Sequence, residues 1–173
     1  MHCFSYLKNP RTLARCALLL AIEVLLNLTV SIPVGQTIRI SFGYLAGSLT
    51  GFLMGPVASC INEVCADLLG TIIKPTGPYF FGFTASAAVG GIIYGLCFYR
   101  RKISWKNVLL SRILVMVVVN LFMNTLWISM LYGKAFFAIL PARILKNLLQ
   151  TVVDFALLLP LLKFAEKKLI TQL

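Results

Sequence analysis

The carboxylates, amides and cations of this 173-residue chain recur at helical spacing inside apolar stretches. Glu63, Asp67, Gly70 and Lys74 stand at offsets 0, 4, 7 and 11. Asn120, Asn124 and Trp127 stand at 0, 4 and 7, and Arg143, Asn147, Gln150 and Asp154 repeat the pattern with Lys146 beside them. At about 100° per residue each set falls on one helical face, within about 60° of arc. An unsatisfied polar group in hydrocarbon costs several kcal/mol, so three such faces must meet one another or line a wet cavity. Cross-linking of helices would use the same residue types. Recurrence on three helices favours the cavity.

The chemistry on offer is recognition. Lys74 and Arg143 lie near the ends of their stretches, and Arg39 and Lys134 lie in loops on the same side, a basic rim suited to an anion. Tyr79, Phe80, Phe81 and Phe83 cluster beside Lys74, and Trp127 belongs to the same end of its helix. Flat aromatic rings beside amides and carboxylates describe a site for a planar heteroaromatic ring, although an interfacial aromatic belt has the same composition. The five cysteines show no metal-ligand spacing, and the lone His2 is terminal. Neither GxxxxGK[ST] nor a nucleophile elbow occurs, so the chain is expected to hydrolyse no nucleotide and to carry no cofactor. Glu63 and Asp67 alone are a thin basis for a proton relay.

The elements that hold these groups are membrane helices. Hydrophobic residues make up 60% of the chain and charged residues 12%, with a mean hydropathy of +0.92. Soluble domains carry about 45–50% apolar and about 25% charged residues. Apolar runs of about 20 residues span hydrocarbon as helices. Punctuation by glycine, proline and charge predicts six of them, over 12–32, 38–54, 57–73, 79–99, 105–131 and 141–168. No small-residue cleavage site follows the first, which is expected to remain as a span. The net charge of +11 could suggest nucleic acid, but the basic residues flank the apolar runs as topology determinants do. With the N-terminus inside, the inner segments hold Lys8, Arg11, Arg15, Arg100, Arg101, Lys102, Lys106, Lys163, Lys167 and Lys168, while the outer loops hold Arg39, Lys74 and Lys134. The expectation is an all-α, six-helix bundle in the cell membrane, one domain over 1–173, with both termini cytoplasmic.

Small residues mark the faces where helices approach. Gly43, Gly47, Gly51 and Gly55 form a four-residue stripe, and Gly82, Ser86 and Gly90 form another, beside Ala87, Gly91 and Gly95. Ala14, Ala17 and Ala21 share one face of the first helix, opposite Glu23. A carboxylate at membrane depth turns inward. The alanine face then points outward, where lipid needs no small residues but a partner helix does.

With these residues in view, the chain resembles the substrate-binding S components of energy-coupling factor vitamin transporters, specifically the folate group. The likeness rests on IRISFGYL (38–45), ADLLG (66–70), PTGPYFFGFTASA (75–87) and Ala17-x-x-x-Ala21, and extends over nearly the whole chain in length and layout. It implies a bundle that binds its vitamin from outside, works with a membrane scaffold (T) subunit and two cytoplasmic ATPases, and reorients to release its ligand. It further implies that the loop 31–41 covers the site and that Ala14, Ala17 and Ala21 face the scaffold. For folate, Asp67, Asn147 and Gln150 are assigned to the pterin edge, with Asn124 also on the pocket face. Tyr79, Phe80 and Trp127 are assigned to stacking, and Arg39, Lys74 and Arg143 to the carboxylates. Left open are the same architecture for another vitamin such as riboflavin or thiamine, an intramembrane enzyme using Glu63, Asp67 or Asp154, and a purely structural subunit. The basic rim disfavours cationic thiamine.

Overall fold

A computed structural model describes residues 10–29, 32–34, 38–40, 42–75, 79–133 and 136–170. Six helical rods follow one another: α1 (Pro10–Thr29), α2 (Tyr44–Met54), α3 (Pro56–Ile73), α4 (Phe81–Phe98), α5 and α6 (Phe136–Ile170). The α5 rod is built of three consecutive segments, Trp105–Leu114, Val115–Met123 and Asn124–Tyr132. Five of the rods contain a stretch long and apolar enough to cross a membrane, and α2 is the shorter apolar one. At 11 residues it rises about 16 Å, half of the hydrocarbon thickness.

The shortness of α2 corrects the expected start at residue 38. Ile38–Ile40 forms a strand, β2, that pairs antiparallel with β1, Ile32–Val34, in the register Ile32↔Ile40 and Val34↔Ile38. Both segments are rich in β-branched residues, which favour the extended backbone over the helix. Among the described residues the bundle is therefore helical apart from one short two-stranded ladder in its first connection.

Two further boundaries differ from expectation for reasons of backbone chemistry. Helix α6 begins at Phe136, one turn before Pro141, and holds Pro141 and Pro160 inside. At Pro141 the missing N–H would have bonded to the carbonyl of Phe137, still in the opening turns, where a lost bond disrupts least. The middle of α5, Val115–Met123, is a π-helix. Its valine run crowds the i, i+3 and i+4 positions of an ordinary helix, and a wider turn relieves that. Thr125 Oγ1 donates to the carbonyl of Asn120 at 3.2 Å, five residues back, in the same register as the π backbone.

Between α2 and α3 the chain reverses at Gly55, whose φ of 90° suits glycine, and Pro56 opens α3. Helix α4 occupies the centre: half of its span is buried inside the protein, against 17–22% for the other four. It touches α2 and α3 on one side and α5 on the other, while α1 packs on α2 and α3, and α6 on α5. At the end of the bundle where α4 joins α5, Tyr94 and Phe98 stack at 6.1 Å and join Val108, Val115, Val119, Leu158 and Leu162 in the apolar core.

The glycines of α4 are not equivalent. A Cβ at Gly91 would lie 2.6 Å from the carbonyl oxygen of Ser59 and 2.9 Å from the backbone nitrogen of Cys60, and one at Gly95 would run into the backbone of Pro56. At Gly90 an added Cβ meets nothing within 4 Å. Gly91→Ala is therefore expected to force α3 and α4 apart and cost about 1–3 kcal/mol. Gly90→Ala is expected to be neutral, or stabilising by up to about 1 kcal/mol through helix propensity. Thermal unfolding of the two variants in detergent checks this, and equal melting temperatures would refute the close approach at Gly91.

Candidate ligand-binding site

Of the three polar faces expected on α3, α5 and α6, those of α5 and α6 lie beside α4, whose own polar side chains were not part of that expectation. Along α4 run Gly82 and Ser86, both buried, and Ser86 Oγ accepts a 3.0 Å hydrogen bond from Trp127 Nε1 of α5. The Trp127 ring sits 5.6 Å from that of Phe80, and Phe80 meets Phe83 edge-on at 6.2 Å. Gly82 is what admits this pair, since a Cβ there would lie 2.5 Å from Trp127 and 2.5 Å from Phe80. Residue 82 thus lacks a side chain because two aromatic rings occupy the space.

One turn deeper on α5, Asn124 Nδ2 donates to Asn120 Oδ1 at 3.4 Å, and Asn124 Oδ1 is buried without a partner. Across from it on α6, Arg143 Nη1 reaches to 3.5 Å from the Asn124 carbonyl oxygen. Asn147 is 2% exposed and its Nδ2 has no partner. Buried amide atoms are almost always paired, and one left unpaired costs about 1–3 kcal/mol. Asn124 Oδ1 and Asn147 Nδ2 are an acceptor and a donor left unpaired inside the bundle.

The deeper end of the same faces is closed by charge. Arg112 of α5 forms an ion pair with Asp154 of α6 and donates to the Tyr94 hydroxyl of α4. Its guanidinium lies 4.5 Å from the centre of the Tyr44 ring on α2. Gln150 Nε2 donates to Asp154 Oδ1 at 2.6 Å. Arg112 and Asp154 are 4% and 0% exposed, so neither charge is hydrated and each depends on the other. Four helices are cross-linked here beneath the amides.

Not every expected residue joins this group. Asp67 Oδ2 accepts from Thr84 Oγ1 at 2.7 Å, and the Tyr79 hydroxyl donates in turn to Thr84 at 2.9 Å. Thr84 and Ser86 are two residues apart, about 200° around α4. Asp67 and Tyr79 therefore bond to the α3 side of α4, while Trp127 and Phe80 lie on the α5 side. Lys74 caps the exposed end of α3. The backbone of Arg39 lies in β2; its side chain, like Lys134, is outside the described residues. Ala14, Ala17 and Ala21 are all exposed on α1, and Glu23 is buried at 1%, accepting a 2.9 Å bond from Asn62 Nδ2 of α3.

Arg112, Tyr94, Tyr44 and Thr84 were given no role from the sequence, and Ser86 was read only as a small residue of the α4 packing stripe. A signal for Arg112 existed: it is the one charged residue between Asn107 and Leu131, and an intramembrane cation is a functional candidate by default. The serine and threonine gave none, because small hydroxyl residues are common in apolar helices. Among the described residues no group of histidine, cysteine or carboxylate side chains could hold a metal ion.

A bundle of apolar spans that encloses aromatic rings, unpaired amides and a buried ion pair has the make-up of a multi-pass membrane protein with polar groups in its interior. The chain belongs to the family of ECF transporter substrate-specific components, whose pattern it matches over residues 11–162. That family is a transporter component and not an enzyme. The chain is 38% identical over 141 residues to the folate transporter FolT of Clostridium novyi (strain NT), covering 82% of this chain and 81% of that protein. It is 31% identical over 149 residues to the folate transporter FolT of Leuconostoc mesenteroides subsp. mesenteroides, covering 82% and 80%. Its fold is similar to that in a crystal structure of FolT bound with folic acid, with a TM-score of 0.82 and 30% identity over 88% of this chain and 93% of that one.

Proposed function

We propose that this chain is the folate-capturing subunit of an ATP-driven ECF-type vitamin transporter. The observation that carries the reading is the likeness to folate transporters over four-fifths of both chains, extending to a fold that holds folic acid. The local chemistry agrees. Trp127 and Phe80 supply stacking surface, Asn124, Asn147 and Gln150 supply donors and acceptors for a pterin edge, and Arg143 supplies a cation for a carboxylate. Arg39 and Lys74 extend that basic rim. Asp67 and Tyr79 are engaged by Thr84 and serve as a strut between α3 and α4.

The test is titration of the purified protein with folic acid, riboflavin and thiamine while tryptophan emission is followed. Trp127 lies at the site, and Trp105, at the far end of α5 and exposed, serves as the internal reference. Saturable quenching by folic acid alone, absent in Trp127→Phe, supports the reading. Saturation by riboflavin or thiamine with no response to folic acid overturns it.

The basic residues place both termini in the cytoplasm. The exposed face of Ala14, Ala17 and Ala21 is the surface for the membrane scaffold subunit, through which two cytoplasmic ATPases would supply the energy. Ala17→Leu is therefore expected to leave folate affinity unchanged and to reduce uptake in cells carrying the complete transporter by at least about tenfold, as large side chains obstruct close helix packing. Uptake at the unmodified level with this variant would rule the alanine face out.

A further inference from the structure

Gln150 is an amide whose two ends are not interchangeable in this protein. Its Nε2 donates to Asp154 Oδ1 at 2.6 Å, and a carboxylate accepts hydrogen bonds but offers none. Were the amide to turn over, Gln150 Oε1 would face the oxygen of a fully buried carboxylate, two acceptors in contact. Asp154 cannot move aside, because Arg112 holds it and both are buried. The carbonyl oxygen of Gln150 is thereby directed away from Asp154. On the same face of α6, one turn nearer the outer end, Asn147 is 2% exposed with an unpartnered Nδ2. That buried Nδ2 is a donor left for a polar partner on this face of the helix.

We propose that Asp154 is a positioning residue for ring specificity: it locks Gln150 with Oε1 toward the ligand, so that the site accepts a ring edge bearing N–H and rejects one bearing a carbonyl there. The proposal rests on the folate reading, since it assigns the N–H to the amino-substituted pyrimidine edge of a pterin. A carbonyl at that edge, as in a 2,4-dioxo ring, would leave two oxygens opposed.

The experiment compares folic acid with its analogue in which the 2-amino group is replaced by a carbonyl oxygen, both titrated calorimetrically against the same folded protein. The unmodified protein is expected to prefer folic acid by about 10- to 100-fold, the usual range for a buried hydrogen bond exchanged for an unpaired acceptor. Gln150→Met removes the acceptor, and the preference is expected to fall close to unity. In Arg112→Met with Asp154→Asn no charge is left unpaired, and residue 154 can face Gln150 with either end of its own amide. The preference is expected to collapse there too, while folic acid still binds. A merely structural role for Asp154 would shift both affinities together and leave their ratio unchanged. If that pair of substitutions does not yield folded protein, Arg112→Met with Asp154→Leu carries the same expectation. A ratio that persists in Gln150→Met overturns the proposal; one that persists only in the charge-removed variants overturns the role of Asp154. Absence of folic acid binding in the unmodified protein would sink the folate reading instead, so the two failures are distinguishable.

Discussion

Asp154→Ala is expected to lower the unfolding free energy by about 3–5 kcal/mol. The residue is fully buried, its partner Arg112 is 4% exposed, and the pair joins α5 to α6 at a depth that water does not reach. Removing the carboxylate leaves the guanidinium without its ion-pair partner, facing the Tyr94 hydroxyl and the rings of Tyr44 and Tyr94, and cation–π attraction of about 2 kcal/mol does not replace an ion pair. It also strips Gln150 of its acceptor. The loss lies in the uncompensated charge and not in the worth of the pair, so removing both charges together has a different outcome. Arg112→Met with Asp154→Leu is expected to recover most of the stability, since apolar replacement of a buried pair is often neutral or favourable. Reversible denaturant unfolding in mixed micelles measures both. Were the single and double variants to lose equal stability, the account of the pair as mutually dependent charges would be wrong.

Trp127→Ala is expected to weaken folate binding by at least about 30-fold, the 2 kcal/mol or more typical of a buried aromatic anchor. The side chain is fixed on three sides: its Nε1 donates to Ser86, its ring lies against Phe80, and the missing Cβ of Gly82 makes room for it. A ring immobilised in this way loses little entropy on stacking with a ligand, which is where preorganised sites gain affinity. Trp127→Phe separates the contributions. It keeps a flat ring but loses the bond to Ser86, and is expected to cost about tenfold, near the value of one buried hydrogen bond. Ser86→Ala should cost a similar factor, and the two together little more than either alone, because they remove the same interaction. Calorimetric titration with folic acid provides all four affinities. Full additivity of Ser86→Ala and Trp127→Phe would mean that Ser86 does not act through Trp127.

Much of this architecture is legible along the chain because one helix encodes its own faces. The stripe Arg143, Asn147, Gln150 and Asp154 needs only the helical repeat to be placed on one side of α6. The exposed alanines of α1 follow from the opposing Glu23, since a carboxylate at membrane depth has one favourable direction. The apolar runs likewise set the spans within a few residues. Departures came where a local preference competed: β-branched residues drew 38–40 into a strand, a valine run widened α5 into a π segment, and a proline was absorbed by an opening turn.

The partners of each face depend on which helices become neighbours, and no periodicity records that. Asp67 and Trp127 read as parts of one site, yet α4 stands between them, with Thr84 turned to the first and Ser86 to the second. Arg112 stands alone among charged residues in its apolar run, and the packing of α5 on α6 is what brings Asp154 to it. The direction of the Gln150 amide, with Nε2 turned to Asp154, follows from that same meeting. Residue spacing therefore established which groups must leave the lipid. Packing alone chose their partners, because hydrogen bonds and ion pairs between helices are short-range and arise only after distant segments have come together.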